Sequence, residues 1–152
     1  MSNEALKNTI TQLLPETIFD ETGQWLTLNI AADNWHLFAG QLRITESLFF
    51  DHLFCLTCID WKSHLTMVYH LDSTKFRHNI VIKIKLEPLN PNITTVSDIW
   101  KTANFHEREV YEMFGVNFIN HPDLRLLILP DGWEGKNPMR KDFEDPINMI
   151  RL

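Results

Sequence analysis

The fold class is decided most clearly by residues 78–87, whose sequence is HNIVIKIKLE. Apolar side chains occupy every second position of this stretch: Ile80, Ile82, Ile84 and Leu86. The positions between them are mostly charged: Val81, Lys83, Lys85 and Glu87. Successive side chains of a strand point to opposite faces. The alternation therefore predicts an antiparallel strand with one face buried in the core.

Other segments predict further strands beside this one. Residues 65–71 alternate in the same way, and their apolar face carries Leu65, Met67, Tyr69 and Leu71. Residues 48–60 are rich in Phe, Leu and Cys, which predicts a strand covered on both faces. Residues 18–20 and 25–30 predict two short strands around a turn at Gly23. Together these segments indicate a sheet of several neighbouring strands.

Two helices are predicted in the first third of the chain. Residues 2–14 have apolar side chains three and four positions apart, with Ser2 placed to cap the helix and Pro15 to end it. A second helix is expected from about Asn34. Its apolar side chains fall on one face: Trp35, Phe38, Ala39 and Leu42. Both helices thus have an apolar face to bury.

A third helix is predicted at residues 104–114. Asn104 and Glu107 stand at the spacing of a capping box, and Gly115 can adopt the left-handed conformation that ends many helices. Helices beside several adjacent strands predict an α+β fold. The expected architecture is a two-layer sandwich of a mainly antiparallel sheet with helices, followed by an extended irregular C-terminal tail.

The last part of the chain, residues 116–152, has little helical or strand period. It is interrupted by prolines, yet apolar residues are spread along it: Trp133, Met139, Phe143, Ile147, Met149 and Ile150. Long irregular segments of compact domains are commonly functional, and apolar side chains without a period of their own need another surface. The sequence therefore predicts an α+β domain at residues 1–115 and an extended partner-wrapping tail at residues 116–152.

The composition limits the classes of function. A chain of 152 residues that is 44% hydrophobic and 22% charged suits one soluble globular protein. Its net charge of −6 argues against binding to DNA or RNA, which rests on Lys and Arg neutralising phosphates. We expect no secretory signal at the N-terminus, and the longest apolar stretch is interrupted by charges. Any membrane association is therefore expected to be indirect.

Cys55 and Cys58 form a CxxC pair, which is a candidate for redox or metal chemistry. A zinc or iron–sulfur site needs further ligands at suitable spacing, and the sequence has no second CxxC. On a strand these two side chains point to opposite faces, whereas a redox pair prefers a helix N-terminus that lowers the thiol pKa. We favour two core cysteines over a redox or metal site.

The third predicted helix carries a dense group of charged residues: His106, Glu107, Arg108, Glu109 and Glu112. Glu107 and Glu109 are two positions apart and do not share a helix face, so they are poorly placed as an acid–base pair. Arg108 and Glu112 are four positions apart and can form an ion pair. We favour an ion-paired helix face. A free-standing enzyme that uses Glu107 and Glu109, or the CxxC, is the less favoured alternative.

Residues 103–143 contain a series of short motifs in a fixed order. The motifs are Glu107-Arg108-Glu109, Tyr111-Glu112-Met113-Phe114-Gly115, His121-Pro122-Asp123-Leu124-Arg125, Trp133-Glu134-Gly135 and Arg140-Lys141-Asp142. They resemble the signature region of the C subunit of NADH:quinone oxidoreductase (respiratory complex I), the 30 kDa subunit family. The resemblance extends upstream to about Leu53. Glu112 is a modest departure, because the family usually has Asp there.

The resemblance implies a subunit that is not catalytic on its own and acts only as part of a proton-translocating enzyme complex. It implies no cofactor in this chain, with the flavin and the iron–sulfur clusters held by partner subunits. The implied location is the peripheral arm, on the cytoplasmic side of the bacterial inner membrane or the matrix side in an organelle.

The implied partners are chiefly the D subunit, which the tail wraps, and also the B subunit, which forms the quinone pocket with the D subunit. The predicted interface and signature residues are Glu107, Arg108, Glu109, Tyr111, Glu112, His121, Asp123, Arg125, Trp133, Arg140, Lys141 and Phe143. No catalytic, cofactor-binding or metal-binding residue is predicted. The alternative is the equivalent subunit of a related membrane-bound hydrogenase or other quinone-reducing complex.

Overall fold

The computed structural model describes residues 2–149 of the chain. Within these residues the chain forms three helices and seven strands. In chain order they are α1 (Asn3–Leu13), β1 (Ile18–Asp20), β2 (Thr27–Ile30), α2 (Ala32–Ile44), β3 (His52–Asp60), β4 (Leu65–Asp72), β5 (Asn79–Leu86), β6 (Asn92–Thr94), α3 (Ala103–Phe114) and β7 (Asn117–Ile119). This mixed α+β architecture with a mostly antiparallel sheet confirms the predicted fold class. None of the helices between residues 2 and 149 has the length and hydropathy needed to cross a membrane.

The main sheet contains five strands in the order β1-β2-β5-β4-β3. The stretch at residues 78–87 forms its central strand, β5, and Ile80, Ile82 and Ile84 are fully buried as the alternation predicted. β5 is antiparallel to β4 but parallel to β2. The prediction of an antiparallel strand is therefore correct on one side only. Two parallel neighbouring strands need a crossover connection between them. Here α2, β3 and β4 provide the connection from β2 to β5.

The predicted strand at residues 48–60 differs from expectation, because β3 lies at the edge of the sheet. Its side chains alternate between buried and exposed, so only one face is covered. A bulge between Leu53 and Cys55 shifts the register with β4. The apolar residues upstream, Leu48 and Phe50, are buried in the connection that precedes the strand. The high apolar content thus reflects a buried connection and one buried face.

The first two helices pack one apolar side into the core, as predicted. The Ser2 hydroxyl accepts a hydrogen bond from the Ala5 amide at 3.3 Å and caps α1. α2 begins earlier than expected, at Ala32, and buries the four predicted side chains: Trp35, Phe38, Ala39 and Leu42. These residues belong to the same apolar cluster as the buried face of the sheet.

The third helix ends as predicted but begins differently. Gly115 closes α3 in the left-handed conformation, with φ at 76°. The prediction of a capping box is wrong. Thr102 occupies the N-cap position without a side-chain hydrogen bond, and Glu107 is buried in the protein interior. The spacing of Asn104 and Glu107 is therefore coincidental, since tertiary partners hold the Glu107 carboxylate.

The segment predicted to be irregular contains one strand. β7 pairs in parallel with β6, and Val116 and Phe118 are buried in the core. A strand of three residues has too few positions to produce a recognisable alternation. Beyond Ile119 the described chain, which continues to residue 149, contains no further helix or strand. The division into a domain and a partner-wrapping tail stays a prediction.

Candidate partner interface

Three charged side chains of α3 are buried. Glu107, Arg108 and Glu112 are 0%, 5% and 1% exposed, respectively. Burying a charge without hydrogen-bond partners costs several kcal/mol, so each of these groups needs its own partners. The hydrogen-bond partners lie in two segments of the chain, residues 95–96 and residues 125–129, and α3 holds both.

The Glu107 carboxylate joins α3 to the connection that follows β6. It accepts a hydrogen bond from the Val96 amide at 2.8 Å and another from the Thr95 hydroxyl. The His121 Nε2 atom lies 3.6 Å from the same carboxylate. Burial raises the pKa of Glu107 to about 7, against hydrogen bonds that lower it. Near neutral pH this group is therefore only partly ionised.

His121 joins the turn after β7 to the start of α3. Its Nε2 atom lies 3.1 Å from the Asn104 carbonyl, and its Nδ1 atom accepts a hydrogen bond from the Asp123 amide at 3.0 Å. A carbonyl only accepts and an amide N–H only donates, so the pair of bonds defines a neutral imidazole with its proton on Nε2. The predicted signature residue therefore has a turn-forming role.

The predicted ion pair between Arg108 and Glu112 is not formed. Arg108 instead donates to two backbone carbonyls, from Nε to Arg125 at 3.1 Å and from Nη2 to Leu126 at 2.6 Å. The Glu112 carboxylate accepts from the next three backbone amides, at 2.9 Å for Leu127 and Ile128 and at 3.1 Å for Leu129. An irregular segment leaves its backbone groups without regular partners, so a guanidinium takes the carbonyls and a carboxylate takes the amides.

These bonds attach residues 125–129 to α3 through their backbone. We call this segment the anchored segment. Its apolar side chains are left partly or largely exposed, with Leu127 at 39% and Ile128 at 62%. Arg125 itself lies at the surface, where its Nε atom binds the Asp123 carboxylate at 2.9 Å.

A second stretch of the tail returns to the domain near residues 137–141. The Met139 amide donates to the Met113 carbonyl at 3.0 Å, and the Lys141 amide donates to the Asp60 carboxylate at 2.8 Å. The hydrogen bond from Lys141 is the main reason why the pKa of Asp60 is lowered. The Arg140 guanidinium donates a hydrogen bond to the Pro88 carbonyl. The Met139 side chain remains 56% exposed.

The remaining predicted residues lie in separate places. Tyr111 packs against the core, whereas Glu109 is exposed on α3 and Glu107 is buried. The rings of Trp133 and Phe143 lie 6.3 Å apart within the tail, and the Lys136 ammonium lies over Trp133. The structure thus groups the α3 residues with residues 121–129, and Arg140 and Lys141 with Asp60 and Pro88.

Sequence reasoning missed Thr95 and Asp60, each of which binds a residue far away along the chain. The Asp60 carboxylate binds the amide of a residue 81 positions later, and no local pattern signals such a contact. Thr95 was recognisable only as a residue that could cap the following turn, and its hydroxyl does accept a bond from the Ser97 amide. Its second bond, to Glu107, depends on tertiary structure.

The two cysteines are free and occupy different environments on β3. Cys58 is buried, and desolvation raises the pKa of its thiol to about 12. Cys55 lies beside the bulge and is partly exposed. A thiolate nucleophile or metal ligand needs a lowered pKa, so the environment of Cys58 opposes that chemistry. Across residues 2–149 no three His, Cys, Asp or Glu side chains are grouped as metal ligands.

The chain is similar over most of its length to one protein family. A family model described as "Respiratory-chain NADH dehydrogenase, 30 Kd subunit" matches residues 28–146. The NADH-quinone oxidoreductase C/D subunit of Phocaeicola vulgatus is 41% identical over 127 residues, which are 82% of this chain and 24% of that protein. The C subunit of Chloroherpeton thalassium is 39% identical over 114 residues, which are 74% and 47% of the two chains. This chain therefore spans less than half the length of both relatives.

Similarity extends beyond NADH-quinone oxidoreductases. The F(420)H(2) dehydrogenase C subunit of Methanosarcina mazei is 40% identical over 100 residues, 64% of this chain and 63% of that protein. A chain of an archaeal membrane-bound sulfane sulfur reductase superposes with a TM-score of 0.80 at 28% identity, covering 93% of this chain and 85% of that one. A trypsin-resistant fragment of Nqo5 superposes with a TM-score of 0.69 at 23% identity, covering 82% and 100%, and supports the fold alone.

Proposed function

This chain belongs to the 30 kDa subunit family of respiratory-chain NADH dehydrogenases, and we propose that it is a non-catalytic structural subunit in the peripheral arm of a proton-translocating NADH:quinone oxidoreductase. In that role it supports electron transfer from NADH to quinone by packing against the subunits that form the quinone site. The complex lies at the membrane, and this chain is on the cytoplasmic side of a bacterial inner membrane, or the matrix side in an organelle.

The observation that carries this proposal is that the tail has a hydrogen-bonded backbone but exposed apolar side chains. Its backbone is hydrogen-bonded to the domain through Glu112, Arg108 and Asp60, while apolar side chains such as Ile128 and Met139 remain largely exposed. A segment that is ordered before binding loses less conformational entropy when a partner covers it. Exposed apolar side chains on such a segment suit a protein–protein interface.

We propose the D subunit of the complex as the main partner and the B subunit as a second. Relatives from Phocaeicola vulgatus and Acinetobacter baylyi carry the joint name C/D, which supports a close association between the C and D parts. The assignment of the B subunit rests on its expected place at the quinone site. In the proposed complex the anchored segment and the residues around Met139 face the D subunit.

The arrangement of α3 argues against a free-standing enzyme. Both oxygens of Glu107 accept hydrogen bonds inside the protein, and its side chain is inaccessible to a substrate. Glu109 is exposed elsewhere on the helix, so the two carboxylates do not form an acid–base pair. The buried, weakly acidic Cys58 thiol is equally unsuited to redox catalysis.

We further propose that this chain holds no flavin, iron–sulfur cluster or metal. The purified chain is expected to be colourless and to contain zinc or iron far below one atom per chain, as measured by absorption and metal analysis. Replacing both Cys55 and Cys58 by Ala is expected to leave assembly and turnover of the complex nearly unchanged. A metal-to-protein ratio near one, or electron transfer lost in the double variant, would contradict this part of the proposal.

A related complex with a different electron donor is the second candidate. The similarity to the Methanosarcina mazei F(420)H(2) dehydrogenase protein and to the archaeal sulfane sulfur reductase chain favours it. The scaffold role of this chain would be the same in either complex. Only the identity of the neighbouring subunits and of the donor separates the two candidates.

Purification of the tagged chain from native membranes tests the proposal. We expect it to co-purify with the D and B subunits and with subunits that oxidise NADH, and the preparation should reduce quinone with NADH. Co-purification with subunits for a different donor would favour the second candidate. Recovery of the chain alone, as a monodisperse protein with its own catalytic turnover, would refute a scaffold role.

A further inference from the structure

A cleft of about 840 Å³ opens beside the first half of α3. Its walls come from α2, the connection between β6 and α3, α3 itself and the turn after β7. Six residues of its lining matter here: His36, Asp98, Lys101, Phe105, Arg108 and Asp123. The cleft lies apart from the exposed Ile128 and Met139 side chains, which are not part of its lining.

The acidic residues of the cleft are already paired. The Asp98 carboxylate lies 2.9 Å from the His36 Nε2 atom. The Asp123 carboxylate binds Arg125, at 2.9 Å and 3.0 Å from its Nε atom. Neither carboxylate is within ion-pair distance of Lys101 or Arg108, which line the same space.

Two cations of the cleft have no carboxylate partner among residues 2–149. Lys101 makes no side-chain ion pair there, and Arg108 uses only its Nε and Nη2 atoms, on backbone carbonyls. A guanidinium has five N–H donors, so Arg108 retains donors for a further acceptor. Arg108 is also only 5% exposed, and a desolvated cation gains more from a carboxylate than a solvated one does.

Along the chain, an exposed aromatic residue stands between these two cations. Phe105 is 60% exposed, and its ring centroid lies 5.6 Å from the Arg108 guanidinium carbon. Lys101, Phe105 and Arg108 follow a spacing of four and then three residues, which places them along one side of the helix and its leading turn. The lining thus alternates cation, aromatic ring and cation in a protein whose net charge is −6.

We propose that this cleft binds an acidic segment of a neighbouring protein in the complex, with carboxylates at Lys101 and Arg108 and an apolar side chain on Phe105. This inference rests on the proposed function in one respect only, namely that the acidic segment belongs to another subunit of the same complex. Charge complementarity favours an acidic peptide, because the two charged side chains of the cleft that lack a side-chain partner, Lys101 and Arg108, are both positive. The ring between the cations favours a peptide over a small anion, which would leave Phe105 uncovered.

Binding of short peptides to the free full-length chain tests this proposal. The probe is a synthetic peptide of sequence EDLEDL, compared with the uncharged peptide QNLQNL and with inorganic phosphate. Nuclear magnetic resonance titration should show shifts at Lys101, Phe105 and Arg108, and the acidic peptide should bind at least about tenfold more tightly than the uncharged one. Equal binding of the two peptides, or no shifts in the cleft, would overturn the proposal.

Two substitutions sharpen the test. Lys101→Glu should weaken binding of the acidic peptide about tenfold or more, whereas Lys85→Glu, with the same change of charge at an exposed position of β5, should leave it unchanged. Phe105→Ser should weaken peptide binding but not phosphate binding. If phosphate binds as tightly as the peptide and Phe105→Ser changes neither, the cleft is a small-anion site and the proposal fails.

The outcome is separable from that of the proposed function. The titration uses the free chain and leaves Ile128 and Met139 unchanged. A negative result would therefore refute only the proposal that the cleft binds an acidic segment. Loss of the scaffold role would appear in the co-purification, which does not depend on these peptides.

Discussion

At Glu112 a single carboxylate accepts hydrogen bonds from three consecutive backbone amides, those of Leu127, Ile128 and Leu129. Hydrogen bonds to charged groups contribute about 1.5–3 kcal/mol each, more than neutral ones. The carboxylate is 1% exposed, so water does not compete for these bonds while the segment is in place. Glu112 therefore fixes the backbone of the anchored segment against α3 at three consecutive residues.

Glu112→Gln should loosen the anchored segment. The amide side chain has one acceptor oxygen in place of two and no charge, so we expect a loss of about 2–3 kcal/mol in the free energy of unfolding. Urea unfolding measures this loss, and hydrogen exchange should accelerate at Leu127, Ile128 and Leu129. Glu109→Gln, the same change at an exposed position of α3, should alter stability by less than about 0.5 kcal/mol. Equal effects of the two variants would contradict the role of Glu112.

Glu107 should make stability depend on pH. Burial raises its pKa from 4.5 to about 7, so the folded state binds more protons than the unfolded state between these values. Its contribution is therefore fully present below pH 4.5 and is lost as pH rises to about 7, by an order-of-magnitude 3 kcal/mol. Glu107→Gln should remove this slope from urea unfolding measured across the window.

Comparison with a matched variant isolates the Glu107 contribution. Burial lowers the pKa of His70 and of His78. Each of these histidines therefore increases the free energy of unfolding as pH rises, which is opposite to the effect of Glu107. Both histidines are retained in Glu107→Gln and in Glu109→Gln, so only the former should alter the slope. An unchanged slope in Glu107→Gln would show that Glu107 titrates normally.

Among the secondary-structure elements, α3 is the one that binds both the connection after β6 and the anchored segment. Glu107 binds the connection after β6, Arg108 binds Arg125 and Leu126, and Glu112 binds the amides that follow. Beside Ala103, Val110 and Phe114, the helix thus buries three charged side chains, whereas the buried face of most helices is apolar. The consequence is a tail whose backbone is ordered and whose apolar side chains remain available to a partner.

Replacing Ile128 and Met139 together by Ser should separate assembly from folding. Both side chains are largely exposed in the free chain, so its stability should change by less than about 1 kcal/mol. Truncating an interface anchor typically costs about 2 kcal/mol, and each 1.4 kcal/mol or so is tenfold in affinity. We therefore expect retention of the chain in purified complexes to fall by about tenfold or more.

The matched control for that variant is Ile44→Ser. Ile44 is 76% exposed at the end of α2, outside the tail. It should leave both stability and assembly nearly unchanged. Normal assembly of the Ile128 and Met139 variant would mean that these side chains are not part of the interface.

At the scale of the whole molecule, the buried apolar residues of the described core all lie at or before Phe118, and hydrogen bonds hold parts of the later segment against α3 and Asp60. Deletion of residues 131–152 leaves the bonds of Glu112 and Arg108 intact. The deletion removes three hydrogen bonds to the rest of the chain, whose acceptors are the Met113 carbonyl, the Asp60 carboxylate and the Pro88 carbonyl. We expect a cooperative domain that is about 2–4 kcal/mol less stable, since each hydrogen bond contributes roughly 0.5–1.5 kcal/mol.

The shortened chain should fold but no longer join the complex. Circular dichroism with urea unfolding measures the first property, and pull-down with the D subunit measures the second. A shortened chain that assembles normally would contradict the partner-wrapping tail. Loss of cooperative unfolding would instead show that the tail belongs to the core of this domain.

Features that depend on neighbouring residues could be predicted from the amino-acid sequence alone. The buried face of β5, the Ser2 cap, the apolar face of α2 and the Gly115 helix end follow from side-chain period and backbone preference, which act within a few residues. The ordered motifs of residues 103–143 also indicated the family. These properties need no knowledge of the rest of the fold.

The partners of the charged residues and the parallel pairing of β2 with β5 emerge only when the elements are packed together. The helical spacing of Arg108 and Glu112 permits an ion pair, but the anchored segment crosses α3 and offers backbone groups that must be satisfied. Asp60 binds the Lys141 amide, 81 positions away, for the same reason. Contacts between distant segments depend on the arrangement of the whole fold, because local periodicity and capping preferences act over only a few residues.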